Sequence, residues 1–443
     1  MTTSIDAITR LFRACEPNEA LQPDDKRYVN CDDVRGENLV QTYVRSLRRA
    51  DPAKPEVKLF AGHRGVGKTC ELNRLKAFLE KPQSADDPHR PFHVIYMDAT
   101  EKLDLNDLDL PDLLTFIAAE VLAQLRAANL PGFDPVSTYV KRIWDEIRGA
   151  LGSEVALKEA GVEAGFGSLA LEIKNRPNSR QALRRAIEMH STGLLGAVND
   201  LLVSATVKLR QGNSEGLVLI VDGLERLVFR TLEGGSSTHD RLFIDRSEQL
   251  ASLRAHTIFT VPISLFYSPR CAELEQTFGE HNVPVPMIRL HESDEKGVSA
   301  KSPGMTKMWE MIEARCCYAE IDVANVFDDP STGMYLCEMT GGHPRHLMMF
   351  LQAAMNAVAS LPITRVAAEK GVRNYANSLL REVPDEYWPK LRAFGKPQND
   401  IPKDEAHQKM LLLLHVFEYM NGSPWYEVNP VIRTLARFKR KGK

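Results

Sequence analysis

Between Val57 and Leu290, short and nearly continuous apolar runs alternate with stretches whose apolar residues recur every three or four positions. The runs are VKLFAG at Val57–Gly62, FHVIYMDA at Phe92–Ala99, GLVLIVDG from Gly216, HTIFTVPISLFYS at His256–Ser268 and VPVPMIRL at Val283–Leu290. Strands that are apolar on both faces are buried on both, so these runs predict a parallel sheet covered by helices. Pro284 and Pro286 place the fifth run at an edge, because proline lacks a ladder N–H. The periodic stretches predict helices at Lys68–Leu79, at Leu110–Ala128, and from about Glu37 to Arg49, before Pro52 and Pro55 break the chain.

The connection between the second and third runs is roughly a hundred residues longer than a minimal crossover. Its middle, VALKEAGVEAGFGSLALEIKNR, alternates at Leu169, Leu171 and Ile173 and predicts a hairpin within an insertion at about 130–190. After about Gly297 the strand pattern stops. MTKMWEMIEARC, TGMYLCEM, HLMMFLQAAMNAVA and VAAEKGVRNYANSLL are amphipathic helical stretches of a separate α-helical region. The last part turns at Asn421-Gly422 into an aromatic strand and suggests a small winged-helix-like unit.

The length of 443 residues exceeds one ordinary core. The pattern predicts an N-terminal segment to residue 55, a sheet-containing core over 56–296, a helical lid over 297–383 and a C-terminal unit over 384–443. Apolar residues at 43% and charged residues at 26% are ordinary for a globular protein. A net charge of −3 excludes a generally basic nucleic-acid binder but leaves room for a local patch, such as the tail RTLARFKRKGK. No apolar run reaches the roughly 18 residues that span a bilayer, and MTTSIDAITRLFRAC lacks the parts of a signal peptide. The seven cysteines form no C-x-x-C pair, which disfavours zinc and fits reduced thiols in the cytoplasm.

Chemistry enters at Gly62–Thr69. GHRGVGKT satisfies G-x-x-x-x-G-K-[ST] at every position, between a strand and a helix. The glycines let backbone N–H groups turn inward around a phosphate. Lys68 supplies a point charge to the outer phosphates, Thr69 a hydroxyl for Mg²⁺, and the following helix its N-terminus. Gly62, His63, Arg64, Gly65, Val66, Gly67, Lys68, Thr69 and Cys70 are thus the candidate nucleotide contacts. Asp222 ends the run LVLIVD, where a carboxylate serves Mg²⁺. Glu225 is placed to orient a water, or else to begin a helix or pair with Arg226.

Taken together, GHRGVGKT, LVLIVDGLERL and GGHPRHL (Gly341–Leu347) resemble the AAA+/STAND group of P-loop ATPases. Arg226 stands where a further acid is common in that group. The resemblance implies ATP and Mg²⁺ as cofactors. It also implies a helical lid whose Pro344 touches the nucleotide and whose Arg345 reaches the γ-phosphate. By the same resemblance Arg270, with Ser268 and Thr260 as alternatives, is the sensor after the fourth strand. Arg246 or Arg254 would be a finger offered to a neighbouring subunit of a homo-oligomer. Arg35 and Gly36, in DVRGENL, would line the adenine pocket. The main expectation is a regulatory ATPase acting with a separate effector or sensor protein, in a setting such as antiviral defence. A DNA-handling ATPase that uses the basic tail, and a nucleotide-locked scaffold without turnover, are the alternatives.

Overall fold

The structure, a computed structural model, describes residues 6–81, 89–129, 141, 142, 145, 191–279, 282, 284–292, 298–394 and 396–440. The hairpin expected within the insertion lies outside the described residues. The chain divides into two compact units, each assembled from separated segments. The first comprises Met1–Val40, Gly62–Arg74 and Pro284–Lys443; the second comprises Gln41–Ala61 and Leu75–Val283.

The second unit is built on a parallel sheet of β1 (Val57–Phe60), β2 (His93–Asp98), β3 (Leu217–Asp222) and β4 (His256–Thr260), in the order β1-β4-β3-β2. Every residue of β1, β3 and β4 is buried, whereas the edge strand β2 mixes buried with partly exposed positions. The burial inferred from the apolar runs is therefore present, and two helices cover one face. Leu219, Val221 and Phe259 pack with Leu113, Phe116 and Ile117 of the helix Leu110–Ala127, and with Leu201 and Leu202 of the helix Ser191–Gln211. Register matters at one end: Asp98 of β2 sits opposite Asp222 of β3, so two carboxylates end neighbouring strands.

Among the described residues of the run Val283–Leu290, 284–290 form no fifth strand. They make one isolated parallel bridge, Val285 with Gly62. The two prolines leave too few N–H groups for a ladder, and those that follow are used elsewhere in the first unit. Met287 N–H donates to Glu418 O, Ile288 N–H to Gly342 O and Arg289 N–H to Val34 O.

The first unit contains the expected helices, at Pro303–Tyr318, Pro330–Met339, Pro344–Met355 and Arg365–Glu382. Their apolar faces meet through Met308, Ile312, Leu336, Phe350, Leu351 and Leu379, all nearly inaccessible. Further on, the helix Glu405–Leu412 leads into the antiparallel hairpin β5 (Val416–Asn421) and β6 (Ser423–Val428), turned at Asn421-Gly422. Tyr419 and Trp425 face one another in register, with rings stacked 4.3 Å apart. No helix among the described residues is long and apolar enough to cross a membrane.

Candidate phosphate-binding site

The glycine-rich loop lies in the first unit. After β1 the chain turns through Gly62 (φ 144°), Gly65 (φ 88°) and Gly67 (φ 104°), and the helix Lys68–Leu79 begins. Residues with a Cβ rarely take these angles, which fixes the spacing of the three glycines. Val66 N–H donates to His63 O at 3.2 Å and Glu71 N–H to Gly67 O at 3.1 Å, closing the loop onto the helix. The N-terminus of the helix concentrates partial positive charge there. Lys68 is buried, and its Nζ donates to the carbonyls of Gly62 (3.0 Å) and His63 (3.1 Å). Thr69 is half-buried. Cys70 accepts the Leu21 N–H at 3.3 Å, and burial raises its thiol pKa, the mark of a packed thiol.

The loop is braced from four sides. The His63 ring is fully buried and points into the protein, between Leu411 O and the Glu418 N–H. The carbonyl of Arg64, whose side chain is exposed, accepts from His343 Nε2 at 2.9 Å. Gly65 abuts the lid, where an added Cβ would fall 2.7 Å from His343 Cε1 and 3.0 Å from Arg345 Cδ. The carbonyl of Val66 accepts from Arg35 Nη2 at 2.6 Å.

Arg35 thus reaches the loop, and Gly36 beside it takes φ 92° in a turn. The second arm of Arg35, Nη1, meets Glu71 at 3.3 Å. Glu71 also receives Tyr28 Oη and Arg74 Nη1, and Arg74 pairs with Asp32 at 2.5 Å. Burial, then the Glu71 charge, push the Tyr28 phenol pKa upward. The sequence reading missed this network. Its one local sign was the i, i+3 spacing of Glu71 and Arg74 on the first helical turns.

Pro344 is the first residue of the helix Pro344–Met355, and His343 caps it by accepting His346 N–H at 3.1 Å. Arg345 donates Nε to Pro17 O at 3.1 Å while its stem covers Gly65. His343 was missed because histidine is not among the usual capping residues.

In the second unit, Asp222 is nearly buried, at 4% exposure. Its Oδ2 accepts Tyr96 Oη at 2.5 Å and its Oδ1 accepts Gly223 N–H at 2.8 Å. Burial, then Asp222, drive the Tyr96 phenol pKa upward, so the phenol stays protonated and donates. Gly223 takes φ 89°, and a Cβ there would fall 2.6 Å from Thr100 Cγ2. Glu225 is half-buried in the 3-10 turn Leu224–Arg226. Thr260 Oγ1 accepts Leu224 N–H at 3.1 Å and so supports that turn.

Arg270 is held by Asp245 (2.6 Å) and Glu273 (2.8 Å), with Ser268 Oγ accepting its N–H. Arg246 immediately precedes the helix Ser247–Ala251 without capping it through its side chain, and Arg254 is exposed with its N–H on Asn199. No group of three or more His, Cys, Asp or Glu among the described residues could hold a metal by itself. Mg²⁺ keeps waters and takes phosphate oxygens, so it needs few protein donors, and the Thr69 hydroxyl and the Asp222 carboxylate are each of a type that it takes.

No protein-family model and no curated protein matches the chain. Among solved structures it is similar to the Walker-type ATPase PABY2304 of Pyrococcus abyssi, at 14% identity and a TM-score of 0.48, over 96% of this chain and 100% of that one. It is also similar to the Aeropyrum pernix ORC2 protein, at 11% identity and a TM-score of 0.42, over 96% of each chain. A third similarity is to Drosophila ORC, in a structure bound to DNA, at 9% identity and a TM-score of 0.42, over 98% of this chain and 93% of that one. At this distance the likeness transfers neither residue roles nor activity.

Proposed function

We propose that the chain is an ATP-binding and ATP-hydrolysing switch of the AAA+ P-loop kind. The observation that carries this reading is the loop itself. Three positive-φ glycines, a buried Lys68 and a helix N-terminus follow one another in the order that phosphate binding requires. Lys68 neutralises charge on the outer phosphates, and the loop N–H groups take their oxygens. Thr69 and Asp222 are the residues that would hold Mg²⁺, which supplies charge neutralisation to the phosphates when bound. Glu225 orients the attacking water. Arg345, with its stem on Gly65, is the arginine beside the loop and the one assigned to the γ-phosphate. Arg270 is already engaged by two carboxylates and receives no such assignment.

Titration of the full chain with a fluorescent ATP analogue tests this reading. Lys68→Ala is expected to weaken binding by about a hundredfold, and Glu225→Gln to keep binding while losing hydrolysis. A Glu225→Gln protein that hydrolyses ATP like the native one would remove Glu225 from the mechanism. Unchanged binding in Lys68→Ala would remove the nucleotide reading altogether.

For the setting, we infer DNA handling, because the C-terminal helix and hairpin end in a basic tail. Arg433 is paired with Glu427 (2.5 Å) and Arg437 with Asp385 (2.6 Å), but Lys439 and Arg440 are exposed. Exposed cations of this kind act on phosphates with strong salt dependence. Duplex binding that weakens steeply with salt, and weakens further when residues 439–443 are deleted, is expected in an electrophoretic shift. Binding indifferent to both changes would count against DNA. No observation among the described residues favours a separate effector or a defence setting.

A further inference from the structure

A phosphate loop acts through its backbone, so the side chain at His63 is free to do something else. Its ring is fully buried, and each nitrogen meets a backbone group from the C-terminal part of the first unit. Nδ1 lies 3.0 Å from the carbonyl of Leu411, the penultimate residue of the helix Glu405–Leu412. Nε2 lies 2.8 Å from the N–H of Glu418 in β5. A carbonyl only accepts and an amide N–H only donates, so His63 carries its proton on Nδ1 and accepts at Nε2. Phe417, the residue before Glu418, sets its ring edge-on to His63 at 5.9 Å.

Two residues of β5 also bind other segments around the loop. Glu418 O accepts the N–H of Met287, and Tyr419 Oη donates to Gly341 O at 2.7 Å, in the turn before the lid helix. Pulling the hairpin away would strand the buried acceptor Nε2 of the imidazole and the buried N–H of Glu418, and buried polar groups without partners are costly. The His63 carbonyl meanwhile receives Lys68 Nζ. One residue therefore touches the catalytic lysine through its backbone and the C-terminal hairpin through its side chain.

We propose that His63 is a positioning residue that couples the phosphate loop to the C-terminal hairpin, so that nucleotide in the loop and the docking state of the hairpin control one another. The proposal rests on the nucleotide-binding reading. Coupling of this kind is reciprocal: whatever tightens the hairpin slows nucleotide release, and bound nucleotide protects the hairpin.

The test uses the full chain and two measurements. One is the release rate of a fluorescent ATP analogue chased with unlabelled ATP; the other is hydrogen exchange over residues 416–421. His63→Phe keeps the ring and removes both hydrogen bonds. It is expected to speed release at least about fivefold and to abolish the protection that nucleotide gives to β5. His63→Gln, which restores one donor and one acceptor, is expected to recover most of both effects. Tyr419→Phe, which changes no loop residue, is expected to speed release as well. Native release rates in both His63→Phe and Tyr419→Phe would overturn the proposal, as would nucleotide binding that leaves β5 exchange unaltered in the native chain. Failure of the native chain to bind the analogue would overturn the function itself and is visible in the titration before any variant is made.

Discussion

The glycine-rich loop of the first unit and the carboxyl end of β3 in the second each hold polar atoms rigid by different means. The loop is braced by residues far away in the chain: Arg35 on Val66, His343 on Arg64, Arg345 against Gly65, and Leu411 and Glu418 on His63. The end of β3 is braced by its own sheet. Asp222 leans on Tyr96 of the adjoining strand, and the turn after it on Thr260 of the other neighbour. The first arrangement makes the loop responsive to the lid and the C-terminal hairpin. The second makes the carboxylate a fixed point.

The largest effect that separates them should come from the two crowded glycines. Gly65→Ala and Gly223→Ala each force a methyl group onto a left-handed backbone, at φ 88° and 89°, and into contact at 2.7 and 2.6 Å. Each is expected to cost about 2–4 kcal/mol in urea unfolding, combining the backbone penalty with overpacking. The obstacle at Gly65 comes from His343, and at Gly223 from Thr100. His343→Ala should therefore recover part of the Gly65→Ala loss and none of the Gly223→Ala loss, with Thr100→Ser showing the reverse. Cross-rescue would mean the two braces are not separate.

That contrast also explains what was legible in the sequence. The strands, the helix after the loop and Asp222 follow from local patterns, since two-sided apolar runs and the glycine spacing specify them with few outside contacts. Tyr96 was missed because its role depends on β2 pairing with β3 in one register. The braces of the loop were missed because they join residues 31 to 355 positions apart. Val283–Leu290 misled for a related reason: it has strand composition, but its N–H groups go to Glu418, Gly342 and Val34 instead of a neighbouring strand. The grouping of Gly62–Arg74 with the helical and C-terminal segments has no signature in a linear pattern.

Acid should sharpen the comparison next. Burial drops the pKa of His63 and His343 from 6.5 to about 3 and that of His346 well below 6.5. In the second unit burial drops His239 and His256 to about 4. The unfolded chain binds more protons than the folded one between those values and 6.5, so stability is greatest above pH 6.5 and falls as pH decreases. Each histidine contributes up to about 1.4 kcal/mol per pH unit in that window. His291 works in the opposite direction. Its hydrogen bond to Glu427 raises its pKa, so its contribution is present at low pH and is lost as pH rises through the folded value. His63→Gln and His239→Gln should each flatten the acid limb of unfolding free energy against pH by one proton. Of these two variants only His63→Gln is expected to make nucleotide release less sensitive to acid, because His63 belongs to the loop and His239 does not. Equal effects on release would erase the distinction.

The smallest test concerns single hydrogen bonds on either side. Tyr96→Phe removes the phenol that holds Asp222 Oδ2 without changing the packing of the ring. Its cost should be about 1–3 kcal/mol, because the carboxylate oxygen it leaves is nearly buried. Arg35→Lys keeps a positive charge beside Glu71 but loses the planar fork that reaches Val66 O and Glu71 together. If the loop depends on distant braces and Asp222 on its sheet, the two changes should separate in kind more than in size. Arg35→Lys is expected to weaken binding of the ATP analogue by severalfold with hydrolysis per bound nucleotide unchanged. Tyr96→Phe should leave binding within about twofold and lower hydrolysis, because an incorrectly oriented carboxylate acts on Mg²⁺ and not on the phosphates held by the loop. A Tyr96→Phe variant that loses binding instead would show that the carboxylate helps to shape the loop's ligand, and the contrast between a responsive loop and a fixed acid would no longer hold.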